Sequence, residues 1–235
     1  MPAMTHAAIT EPEGAMRSGP KRRAILDAAA DLFLQGGYSG TSMDEVAARA
    51  AVSKQTVYAQ FGSKEALFVA IVSTMTGDAG NEVQQEIGAL GEEDDVRIAL
   101  LGYAQRQLRV VLTRRLMQLR RLVISESTRF PELGTALHRG GPQRAIAGLA
   151  GAFARWSERG LLGIADPATA ASQYNWLVMG EPVNRAMLLG DEAIPSPAEL
   201  HRHAEEAVRA FLAIYPPTGT GAAQAACARP DTFPA

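Results

Sequence analysis

Between residues 21 and 215, apolar residues recur at three- and four-residue intervals with no sustained two-residue alternation. That spacing belongs to helices that bury one face, not to strands. Starts are marked by Ser42-Met43-Asp44-Glu45 and Ser196-Pro197-Ala198-Glu199, both capping boxes, and by Asp166 followed by Pro167. With the glycine stops, the pattern predicts helices near 21–36, 43–50, 54–60, 64–79, 95–111, 114–128, 132–139, 143–160, 168–189 and 198–214. Pro182 is expected to kink or interrupt the ninth. Residues 1–20 and 216–235 lack periodicity and are rich in Gly, Pro, Ala and Thr, so both ends are expected to be disordered. The body is expected to be all-α.

The third helix departs from the rule of a greasy core. In Ser53-Lys54-Gln55-Thr56-Val57-Tyr58-Ala59-Gln60-Phe61, stepping 100° per residue from an inward Val57 puts Gln55 and Ala59 nearly opposite it. Thr56 and Tyr58 fall on the flanks. A short break, Ala51-Val52-Ser53, separates it from the second helix, as in a helix-turn-helix, and Ser53 is a good N-cap. A polar ridge with hydroxyls on its shoulders suits a DNA major groove: an amide such as Gln55 reads an adenine edge, Ala59 meets a thymine methyl, and Thr56 and Tyr58 hold phosphates. Ser63 and Lys64 open the next helix as a further anion site, and Thr41 precedes the second in the same way. The plainer alternative is a solvated helix face. The conjunction of cap, short turn, inward valine and flanking hydroxyls favours the groove.

Charge changes this picture little. The net charge is -2 and the pI about 6.1, so any basic surface is local. Residues 17–64 hold seven Lys and Arg, among them Lys21, Arg22 and Arg23, against four acids. One cysteine, Cys227, excludes an internal disulfide framework and fits a reducing cytoplasm. No apolar run is long enough to span a membrane, and no leader is read at the N-terminus. There is no glycine-rich phosphate loop and no Ser/His/Asp order. His201 and His203 are spaced to point apart on a helix, so neither catalysis, metal nor cofactor is expected; the four histidines are read as surface residues.

Residues from about Arg23 to Leu67, with "AILDAAADLFLQGGYSGTSMDEVAARAAVSKQTVYAQFGSKEALF", strongly resemble the DNA-binding half of the tetracycline-repressor-like (TetR) family. The stretch "LRRLVISESTRFPELGTALHRGGPQRAI", 119–146, resembles the regulatory half of its AefR-like branch. The resemblance implies an N-terminal three-helix DNA-binding domain over 21–67, a fourth helix running to about 79 as linker, and a larger ligand-binding and dimerisation domain over 80–215. It implies a homodimeric regulator, commonly a repressor, that binds an operator and a small-molecule effector. It places Thr41, Lys54, Gln55, Thr56, Tyr58 and Lys64 at positions that commonly contact DNA. It further implies a dimer interface made by the eighth helix and the last two. One departure stands out: the family usually has Gly where this chain has Ala51, at a cost of about 1 kcal/mol if the backbone there has positive φ.

In the larger half, Tyr103, Met117, Leu119, Val123, Tyr174, Trp176 and Met179 are candidates to surround a cavity, although such residues fill cores more often than they line ligands. Residues 100–130 carry seven arginines against Glu126 alone. Most read as solvated faces paired with acids elsewhere. Arg120 or Arg121, bracketed by Leu119, Leu122 and Val123, is the better candidate to grip an acidic effector. A helical small-molecule carrier or partner-binding module that no longer uses its DNA-binding domain is the rival reading.

Overall fold

A computed structural model describes residues 19–217. The expected arm up to residue 18, including His6, and the expected tail from residue 218, including Cys227, lie outside the described residues. Among them every regular element is helical: α1 (Pro20–Gly36), α2 (Met43–Arg49), α3 (Lys54–Phe61), α4 (Lys64–Leu90), α5 (Val96–Val111), α6 (Arg114–Glu126), α7 (Pro131–His138), α8 (Arg144–Glu158), α9 (Pro167–Leu189) and α10 (Pro197–Ile214). A π-helical turn, Arg139–Gln143, joins α7 to α8, and a 3-10 turn, Asp191–Ala193, follows α9. The chain divides into two compact units, one up to Phe68 and one from Val69.

The first unit packs Ile25, Ala29 and Phe33 of α1 on Val46 and Ala47 of α2, Val57 and Phe61 of α3, and Leu67 and Phe68 at the start of α4, all buried. Phe33 stacks on both Phe68 and Tyr38, at 4.9 and 5.9 Å between centroids. Serines fix the entries. Ser42 forms a reciprocal capping box with Glu45, Ser53 accepts from Thr56 N, and Ser63 accepts from Ala66 N. Each satisfies backbone donors that the first helical turn leaves open.

The second unit has a continuous core from α5, α8, α9 and α10. Phe153 meets Trp156, Tyr174 and Phe211 at centroid distances of 5.9, 5.9 and 5.2 Å. Tyr174 hides its hydroxyl by donating to the Leu100 carbonyl, 2.7 Å away, and burial pushes that hydroxyl's pKa well up.

Two helices differ from their expected course. The linker helix, expected to stop near 79, continues to Leu90. Gly77 and Gly80 do not end it, because Val83, Ile87 and Leu90 extend its buried face and reward another three turns. Gly80 has a packing role instead: a Cβ there would come within 2.5 Å of the Gly140 carbonyl oxygen. Gly148 of α8 is just as tightly placed, since a Cβ on it would lie within 2.9 Å of Gln84 and Ile87 of α4. Neither helix could approach so closely with a side chain at these sites.

Nor does Pro182 interrupt α9, which runs unbroken to Leu189. A proline at that position cannot donate to the carbonyl four residues earlier, that of Val178. His203 of α10 supplies the missing donor, its Nε2 lying 2.8 Å from the Val178 oxygen. The orphaned acceptor is thus satisfied from the neighbouring helix. His203 is half-buried, unlike the surface residue expected of it.

Candidate functional site

In the first unit, α3 presents the face anticipated from its sequence. Val57 is fully buried and Phe61 nearly so, whereas Lys54, Gln55, Tyr58 and Ala59 are exposed and Thr56 is half-exposed. Thr56 Oγ1 lies 2.8 Å from Ser53 Oγ. When Ser53 donates in that pair, the Thr56 hydrogen is available to an outside acceptor. Lys54 Nζ is 3.0 Å from Asp44 Oδ2, an exposed ion pair that ties α3 to α2 and raises the lysine pKa, chiefly through that hydrogen bond.

Lys64 stands over the Tyr38 ring, 4.4 Å from its centroid, while the Tyr38 hydroxyl donates to Glu65 Oε1 at 2.7 Å. The ammonium is held against a ring face. Thr41 departs from expectation. It is only 4% exposed and its hydroxyl donates to the Gly37 carbonyl at 3.0 Å, so it closes the end of α1 and does not present its hydroxyl to solvent.

The turn between α2 and α3 carries a strained residue. Ala51 has φ 52°, the one non-glycine among the described residues in the left-handed region. Val52 N donates to the Ala47 carbonyl at 3.0 Å and Ala51 N to that of Ala48 at 3.2 Å. This is the pair of bonds of a Schellman cap, in which the left-handed residue is normally glycine. The left-handed backbone costs an alanine about 1–2 kcal/mol, more than the ~0.4–1 kcal/mol that glycine's extra freedom costs the folded state. Ala51→Gly is expected to raise the melting temperature of this unit by up to about 4–8 °C, the scale of 1 kcal/mol in a domain of this size. A lower melting temperature in calorimetry would contradict the assigned turn.

The second unit contains a cavity of about 80 Å³ between α4, α5, α6, α9 and the turn joining α7 to α8. Its walls are mostly apolar, with Val83, Leu116 and Val183 among them, and Trp176 and Met179 line it as anticipated. Arg120 lines it as well. Tyr103, Met117 and Tyr174 do not: they are buried in the helical core, filling space between α5, α6 and α9. Arg121 also turns elsewhere, pairing with Asp191 and donating to the Ala186 carbonyl at 3.0 Å. Asp191, which also accepts from Gln118, is held below the usual carboxylate range mainly by its hydrogen bond from Arg121.

Four polar lining residues were not singled out by sequence: Thr76, Gln84, Gln107 and Asn175. The signal for two of them was present. Gln107 interrupts the stripe Leu100, Tyr103, Ala104, Leu108 on α5, and Asn175 interrupts Ala171, Tyr174, Val178 on α9. Each meets the other, with Gln107 Nε2 donating to Asn175 Oδ1 at 2.9 Å.

Comparison with known proteins finds a match in each of the two units. Residues 25–71 match the family of bacterial regulatory proteins of the tetR kind, and residues 98–217 match the AefR-like transcriptional repressor C-terminal domain. A TetR-family transcriptional regulator of Mesorhizobium loti is 38% identical, with a TM-score of 0.81 over 85% of this chain and 98% of that one. The flavonoid-responsive regulator FrrA is 30% identical, with a TM-score of 0.67 over 86% of this chain and 100% of its own. The HTH-type transcriptional regulator Rv1255c of Mycobacterium tuberculosis is 33% identical over 157 residues, 66% of this chain and 69% of the relative. With both halves matched and a polar face exposed on α3, the chain belongs to the TetR family of bacterial transcriptional regulators, with a C-terminal domain of the AefR-like kind.

Proposed function

We propose that this regulator acts as a homodimeric repressor in the cytoplasm, binding an operator through α3 and releasing it when a small organic molecule enters the cavity of the second unit. The observation that carries the DNA-binding half is the opposition of Val57, buried, to Gln55 and Ala59, exposed, on one short helix. Gln55 reads a base edge, Thr56, Tyr58, Lys54 and Lys64 hold phosphates, and Thr41 shapes the turn behind them. The paired half-sites of an operator call for two copies related by a twofold axis.

The cavity supports the responsive half. Its α4 wall, with Thr76, Gly80 and Gln84, belongs to the same continuous helix whose first residue is Lys64. Occupancy that favours one of two states of that helix by a few kcal/mol suffices to empty an operator. FrrA is by name responsive to flavonoids, which fits an organic effector for this chain also.

The deciding experiment is retention of the DNA upstream of the gene, measured against random DNA and repeated with small molecules. Sequence-specific, salt-sensitive retention that a compound relieves is the expected result; no preference over random DNA would return the protein to the class of helical carriers. Gln55→Ala is expected to relax preference at one base pair by about 1–3 kcal/mol. Tyr58→Phe and Lys64→Ala are expected to weaken operator and random DNA alike, as loss of phosphate contacts does. Fluorescence anisotropy with operators substituted one base pair at a time separates the two behaviours. Equal losses on operator and random DNA for Gln55→Ala would remove it from base readout.

A further inference from the structure

Four polar groups that converge on the cavity each leave an atom or a charge without a partner. Gln107 is 3% exposed and its Nε2 is used by Asn175, which leaves Oε1 buried with no hydrogen bond. Thr76 is 4% exposed, and its Oγ1 is equally without a partner, as is Gln84 Oε1. Unpaired buried polar atoms of this kind cost about 1–3 kcal/mol each, so three around one apolar cavity ask for a common explanation.

Arg120 is the fourth. Among the described residues no carboxylate or carbonyl pairs with it, and burial alone pulls its pKa down. Its neighbour Arg121 is fully engaged with Asp191 and Ala186, and Arg114 reaches Glu192 at 2.7 Å. The excess of arginine in this segment is therefore balanced by the turn after α9 at two places, but not at Arg120.

We infer that the effector is a compact apolar monocarboxylic acid that also carries a hydroxyl or N–H group, its carboxylate held by Arg120 and its donor by Gln107 or Gln84. This rests on the ligand-responsive reading above and names the chemistry of its ligand. A guanidinium presents a planar fork matched to a carboxylate. Arg120 is the one charged residue lining the cavity, so a single negative charge neutralises it, whereas a phosphate dianion would bury a surplus. The amide oxygens of Gln107 and Gln84 accept only, and so require a donor on the ligand. A cavity of about 80 Å³ selects a small molecule.

The test uses full-length protein and isothermal titration with isobutyrate, benzoate, 4-hydroxybenzoate and 4-aminobenzoate, each beside its neutral primary amide. At least one acid is expected to bind about 10- to 100-fold more tightly than its amide, the scale of one hydrogen-bonded charge. The hydroxy or amino acid is expected to exceed benzoate, and either Gln107→Leu or Gln84→Leu to erase that margin. Arg120→Met should remove the preference for acid over amide. The comparison of acid with amide on the unaltered protein does not depend on any variant folding.

If no acid outbinds its amide, or if the preference survives in Arg120→Met, the inference is wrong. Neutral compounds that bind and release DNA would overturn the acid while sparing the ligand-responsive reading. Acids that bind through Arg120 without changing operator affinity would do the reverse.

Discussion

Raising monovalent salt from about 50 to about 200 mM is expected to weaken operator binding about 10⁴-fold. On the proposed mode of binding, Lys54, Thr56, Tyr58 and Lys64 would give about four phosphate contacts per subunit and about eight per dimer. Each neutralised phosphate releases close to one counterion, so log affinity should fall against log salt with a slope near -7. The overall charge of -2 does not oppose this, since the steering field is that of the local surface, where seven cations face four acids between residues 17 and 64. Lys64→Ala in both subunits should flatten the slope by about 2. Anisotropy titrations at four salt concentrations measure both. A slope shallower than about -3 would mean that α3 and the start of α4 do not lie along a phosphate backbone.

Trp156→Ala should destabilise the second unit by about 3–5 kcal/mol, which corresponds to a loss of roughly 10 °C in melting temperature for a unit of this size. The indole is fully buried, stacks 5.9 Å from Phe153 and donates from Nε1 to the Glu93 carbonyl at 2.9 Å. Truncation opens a cavity in the centre of the aromatic cluster and strips a partner from a backbone oxygen. Trp156→Phe retains the ring against Phe153 and loses the bond alone, so it should cost about 1–3 kcal/mol plus a smaller packing deficit. Chemical denaturation of the two variants orders them. A cost below about 1 kcal/mol for Trp156→Ala would show that this cluster does not hold the unit together.

Most helix boundaries were legible because they depend on neighbours in sequence. Ser42 and Ser196 cap helices with Glu45 and Glu199 three residues on, and a three-residue reach needs no tertiary information. The strain at Ala51 was foreseeable only through the family resemblance, which implies glycine at this turn where alanine stands. The length of α4 was not legible, since Gly77 and Gly80 look like stops until Gly140 is seen packed against the second of them.

The sequence by itself determined that the chain is helical, where α3 lies and which of its faces is exposed, because the 100° step from Val57 fixes the opposite face without reference to anything else. Tertiary structure alone decided between Arg120 and Arg121. Adjacent on α6, they share every local property, and only the position of Asp191, seventy residues away, pairs one and leaves the other facing the cavity. It also decided that α9 survives Pro182, since the donor that rescues the Val178 carbonyl comes from His203 on another helix. Local rules fix periodicity and caps; the partners of buried polar groups come from distant parts of the chain, and packing chooses them.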